Sequence, residues 1–121
     1  MDAKDRRQLA PLIRYVLQQA SSGTGPNPHY LSSYQILERL EEPSRSDLLK
    51  KYGPGGKGAG QTETGPRVIA DVLKHDLGAE IDVRYMNSIG VAYKINGKLI
   101  DTGYQVIGLY KLRQPEDAII G

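Results

Sequence analysis

The stretch Thr64 to Leu77, TGPRVIADVLKHDL, constrains this chain more than any other. Thr64 is a capping residue, and Pro66 falls where the first turn of a helix tolerates a missing N–H. Val68, Ile69, Val72 and Leu73 then recur at helical spacing on one face, with Leu77 one turn further on. Arg67, Asp71, Lys74 and His75 fall on or beside the opposite face. The spacing predicts an amphipathic helix with a buried stripe and a charged outer side. A glycine-rich basic loop precedes it and a β-rich segment follows.

Upstream, Leu9, Leu12, Ile13, Val16 and Leu17 form one apolar stripe of a first helix within residues 4–20. Pro11 removes a donor and crowds the carbonyl four residues back. The regular helix is therefore expected to start near Ala10, with residues 1–8 as a loose arm carrying Lys4, Arg6 and Arg7. Residues 21–30 read as a loop that includes His29. Residues 32–42 read as a second helix. In it Ser32 and Gln35 make a capping-box pair, Ile36, Leu37 and Leu40 face inward, and Pro43 ends it. Residues 44–52 add another turn or two, stopped by Gly53. Between 53 and 65 there are six glycines in thirteen residues, which predicts a flexible loop. Its match to a phosphate-binding P-loop is poor, because the Gly-Lys is followed by glycine and the preceding segment reads helical.

After Gly78 the period changes to two. Ile81, Val83 and Tyr85 alternate with Asp82 and Arg84 and predict a strand over 80–86 with that apolar set buried. Residues 90–95 and 98–102 flank Asn96-Gly97, a strong hairpin signal. The turn pairs Ile95 with Lys98 and Tyr93 with Ile100, so Val91, Tyr93, Ile95 and Ile100 share a face opposite Lys94, Leu99 and Asp101. Residues 104–112 are apolar on both faces, which predicts a central or covered strand. Residues 114–121 read as a frayed tail. The expected fold class is α+β: a single domain of three to four helices followed by an antiparallel meander of about four strands.

Composition narrows the chemistry. The chain of 121 residues has no cysteine, and its two histidines, His29 and His75, lack ligand spacing. Thiolate catalysis, disulfides and cysteine-based zinc sites are excluded, and no metal or cofactor is expected. Acidic pairs such as Glu41-Glu42 sit at element ends and diverge, so no catalytic motif emerges and the protein is not expected to be an enzyme. The opening residues carry charge and no apolar leader core, and no apolar run reaches membrane length. A cytoplasmic protein without membrane contact is the expectation. Residues 45–75 hold six basic and three acidic side chains, whereas the flanking segments are balanced or slightly acidic. That excess faces an anion most naturally. The aromatic residues are eight tyrosines, with no phenylalanine or tryptophan.

In element order, residues 32–112 resemble a winged helix-turn-helix domain. SSYQILERL stands as the packing helix, GPRVIADVLKHDL as the recognition helix and VAYKINGKLID as the wing. The link from Pro43 to Gly65 is longer than the usual three- or four-residue turn. The resemblance implies a DNA-binding module of a regulator or mobile-element accessory protein. On that reading Arg67, Lys74 and His75 face the major groove, and Lys94 and Lys98 meet the backbone from the wing. Lys50, Lys51 and Lys57 neutralise phosphates. Asp71 in the same helix face opposes phosphate. The second expectation is a protein-interaction or homodimer surface built on Tyr104, Val106, Ile107, Leu109 and Tyr110.

Overall fold

A computed structural model describes residues 3–21, 30–56 and 64–113. Four helices, α1 (Ala3–Ser21), α2 (Ser33–Arg39), α3 (Ser44–Tyr52) and α4 (Gly65–His75), precede four strands. These are β1 (Ile81–Asn87), β2 (Ala92–Ile95), β3 (Lys98–Asp101) and β4 (Val106–Leu112), and a short 3-10 turn at Gly78–Glu80 joins α4 to β1. The arrangement is α+β, as the sequence predicts. No helix among the described residues is long and apolar enough to cross a membrane.

Helix α4 lies in the middle of the packing. The Thr64 side chain accepts from the Arg67 N–H at its start, and Pro66 sits in the first turn. Val68, Ile69, Val72 and Leu73 are fully buried, because α4 packs against α1, α2 and α3 at once. Leu9, Ile13, Val16 and Leu17 of α1 and Ile36 and Leu37 of α2 complete the same core. The capping box on α2 is complete: Gln35 N–H donates to Ser32 Oγ at 3.2 Å, and Ser32 N–H donates to Gln35 Oε1 at 2.9 Å. Helix α3 occupies the long link that the sequence places between the two helix-turn-helix candidates.

The strands pair in a nested way rather than as the expected serial meander. β1 pairs antiparallel with β4, and the β2–β3 hairpin lies between them in sequence as a separate pair. The hairpin register is the one the sequence predicts, with Ile95 opposite Lys98 and Tyr93 opposite Ile100. Asn96 and Gly97 both take positive φ, at 53° and 81°, which a two-residue turn matched to strand twist requires. At the hairpin base, Ser88 Oγ donates to the Tyr104 carbonyl at 2.5 Å and Thr102 Oγ1 to Ser88 Oγ at 3.3 Å. β4 pairs with β1 along one edge in a two-stranded sheet, and on the other edge Leu31 alone exchanges two backbone bonds with Tyr110, at 2.9 and 2.8 Å.

Three further expectations need correction. The N-terminal arm is helix from Ala3, with Pro11 inside it. Pro11 is exposed, so the carbonyl that loses its partner can turn to water. The first turns are also tied down, by Asp5 to Lys51 at 2.7 Å and Arg6 to Asp76 at 2.5 Å. In β1 only Ile81 of the apolar set is buried, while Val83 and Tyr85 are exposed. The start of the glycine loop is docked rather than loose. The Gly65 N–H donates to the Gly53 carbonyl at 2.8 Å. A Cβ on Gly56, at φ +98°, would come within 2.3 Å of Ile100 Cγ2. The rest of that loop, the histidine at 29 and the tail from 114 lie outside the described residues. Replacing Ser32 with Ala, which removes one half of the capping box, is expected to cost about 1 kcal/mol, read as a lowered midpoint at unchanged slope in urea unfolding.

Candidate functional site

The outer face of α4 is built by the same periodicity that buries its inner face. Arg67, Lys74 and His75 are exposed there, and Asp71 is half-buried among them. Beside the first turns of α4 opens a cleft of about 420 Å³, bounded by Arg67, Ala70, Tyr34, Tyr104, Val106 and Tyr110. One wall is the start of α4 and α2, and the other is β4 with the segment leading into it. The positive end of the α4 dipole and the Arg67 guanidinium give its mouth a positive character. The remaining lining is aromatic and apolar.

Tyr34 organises the floor. Its ring stacks on Tyr93 of the hairpin at 5.3 Å between centroids and 8° between planes, which fastens β2 to α2. Burial pushes its hydroxyl up to about 12, against a smaller opposing effect from the Gly56 backbone hydrogen bond. Burial also raises Tyr110, on the opposite wall. Tyr34 was not among the sequence candidates. The only trace of it is the surplus of tyrosine in a chain without other aromatic residues.

The hairpin does not project beside α4 as the expected wing. Ile95 is buried, Tyr93 is stacked on α2, and Asn96 Oδ1 accepts from Arg45 Nη1 of α3 at 2.9 Å. Folded back in this way, the hairpin brings Lys98 to the same crevice as Lys50 of α3. Lys94 comes beside Gln35, Glu38 and Arg39 of α2. The predicted basic residues thus fall into separate places. Arg67, Lys74 and His75 share α4, Lys50 and Lys98 share the α3–hairpin crevice, and Lys94 flanks α2. Lys51 points to α1, where Asp5 raises its pKa. Lys57 lies outside the described residues. Of the predicted interface residues, Tyr104 and Val106 are exposed, Ile107 is buried, and Leu109 and Tyr110 are half-buried.

Charged side chains divide sharply between paired and unpaired. Arg6, Arg14, Arg45 and Lys51 each meet a carboxylate. Arg14 grips Glu80 through Nε and Nη2 at 2.9 and 3.0 Å and holds that carboxyl below its ordinary value. Among the described residues no ion pair engages Arg67, Lys74, Lys50, Lys94 or Lys98. In comparisons with protein families, curated proteins and solved structures, the chain matches none of them.

The Tyr34 environment has a pH signature. Folding favours the neutral phenol, so its contribution is complete below about pH 10 and is lost as pH rises toward 12. Spectrophotometric tyrosine titration should show a late-ionising phenol, and Tyr34→Phe should remove that phase and flatten the alkaline fall in stability.

Proposed function

We propose that this chain is a nucleic-acid-binding module that presents the outer face of α4 to duplex DNA. The observation that carries the reading is the sorting of the cations. Arg6, Arg14, Arg45 and Lys51 are held by carboxylates, whereas Arg67 and Lys74 stand exposed on one helix face with no carboxylate partner among the described residues. Unneutralised cations on a helix whose other face is fixed in a core suit phosphate and base-edge contact.

The strand order supports the same reading. A bridging segment at Leu31 flanks β4, β4 pairs with β1, and α4 leads directly into β1. Helices followed by antiparallel strands are also the element order in which residues 32–112 resemble a winged helix-turn-helix domain. Arg67, in the first turn, offers its planar fork to guanine O6 and N7. Lys74 and His75, two turns on, meet the backbone. Lys50 and Lys98 form a second phosphate contact on the α3–hairpin side, from which Lys94, beside α2, stands apart. Lys51 has no part in this, since Asp5 neutralises it. Asp71 limits how deeply the helix can enter the groove, and Tyr104 at the cleft mouth can pack on exposed sugars or bases.

Fluorescence anisotropy of a labelled random duplex, titrated at roughly 50 and 200 mM salt, tests this. The expected result is binding that weakens about tenfold or more between the two salts. Arg67→Glu with Lys74→Glu should abolish it, and Lys51→Met should leave it unchanged. Absence of binding at the lower salt, or a charge-reversed variant that binds like the parent, overturns the reading.

A further inference from the structure

β1 is an edge strand with no described strand on its outer side, where the Arg113 Nε–H donates to the Ile81 carbonyl at 3.0 Å. Its backbone can be assigned group by group. The Arg113 N–H donates to the Glu80 carbonyl at 2.9 Å and the Ser88 N–H to the Gln105 carbonyl at 2.8 Å. With the continuous register from Ile81–Leu112 to Asn87–Val106, the even positions of β1 turn their N–H and C=O toward β4. Ile81, Val83, Tyr85 and Asn87 turn theirs outward. No described strand pairs with that side, and no hydrogen bond among the described residues reaches the outward groups of Val83 or Tyr85. The usual protections of an edge, a proline or a bulge, are absent over these seven residues. Tyr85 is 76% exposed, and Val83 and Val106 are exposed on the same face.

We infer that this edge pairs with β1 of a second copy of the chain, antiparallel, with Val83 on the two-fold axis. The argument for a second copy is charge complementarity within the strand itself. Asp82 and Arg84 flank Val83 on the opposite face, both against Tyr30: the Tyr30 hydroxyl donates to Asp82, and the Arg84 guanidinium lies 5.6 Å from the ring centroid, with Lys111, cross-strand from Asp82, 5.3 Å from the same centroid. With Val83 opposite Val83, Asp82 of each copy faces Arg84 of the other, twice by symmetry. Ile81 faces Tyr85, the outward groups of Val83 meet as a bonded pair, and the Tyr85 N–H of each copy shares the other's Ile81 carbonyl with Arg113 Nε.

The neighbouring registers that also join outward groups are worse. Centring on Asp82 or on Arg84 sets like charges against each other, and centring on Tyr85 sets Arg84 against Met86. The preferred register extends β1–β4 into a four-stranded sheet in the order β4, β1, β1, β4, and Val83, Tyr85 and Val106 of both copies form one apolar strip. The two-fold is normal to the sheet, so both copies turn the same face in one direction. The inference does not depend on DNA binding.

Sedimentation equilibrium over a concentration series tests it with the full chain and two variants, Asp82→Arg and Arg84→Asp. The parent is expected to sediment as a dimer. Each variant alone places like charges opposite at both symmetric positions and should self-associate about tenfold more weakly or worse. An equal mixture of the two variants restores both ion pairs across one interface and should regain a dimer of parental affinity, which also shows that both variants are folded. A monomeric parent, variants that dimerise like the parent, or a mixture that stays monomeric each overturns the proposal.

Discussion

Burial of one face of α4 is the interaction on which the other elements depend. Val68, Ile69, Val72 and Leu73 are wholly removed from solvent, and each contributes roughly 1.5–3 kcal/mol on burial. Together that is comparable to the net stability of a whole small domain, about 5–15 kcal/mol. Three helices are needed to cover this face, and once they do, the orientation of α4 is set. The outer face follows from the same constraint. A helix with its inner stripe locked among α1, α2 and α3 can turn only Arg67, Asp71, Lys74 and His75 outward, and the start of β1 is fixed by where α4 ends.

The hairpin and the glycine loop are held by a second, smaller set of contacts around Tyr34. Its ring stacks on Tyr93, its hydroxyl takes the Gly56 backbone bond, and Gly56 in turn packs against Ile100 and Asp101. These contacts explain why the hairpin lies back on α2 and α3 instead of reaching past α4. The cleft beside Arg67 stays open.

What was legible in the sequence was local. Helix periodicity, the Ser32–Gln35 box, Gly53 as a helix stop and the Asn96-Gly97 turn each depend on a few neighbouring residues, and each is found where expected. What was not legible depended on distant partners. Pro11 argues against a helix only until Asp5 and Arg6 are seen anchored to Lys51 and Asp76, 46 and 70 residues away. The alternation in β1 predicts a buried face, but alternation does not reveal what covers that face. The nested pairing of β1 with β4 is long-range and leaves no local mark. Of the site, the α4 cations were readable from periodicity, whereas the loss of Lys51 to Asp5 and the joining of Lys50 to Lys98 required tertiary contacts.

The central claim is that the outer face of α4 is the contact surface for duplex DNA. An amide chemical-shift titration of the isotopically labelled chain with unlabelled duplex maps that surface residue by residue. The account predicts that the largest changes fall on Gly65–His75 and on Tyr104 and Val106 at the cleft, with smaller changes at Lys50 and Lys98. Changes concentrated elsewhere, or a spectrum that duplex leaves unaltered at low salt, would contradict it.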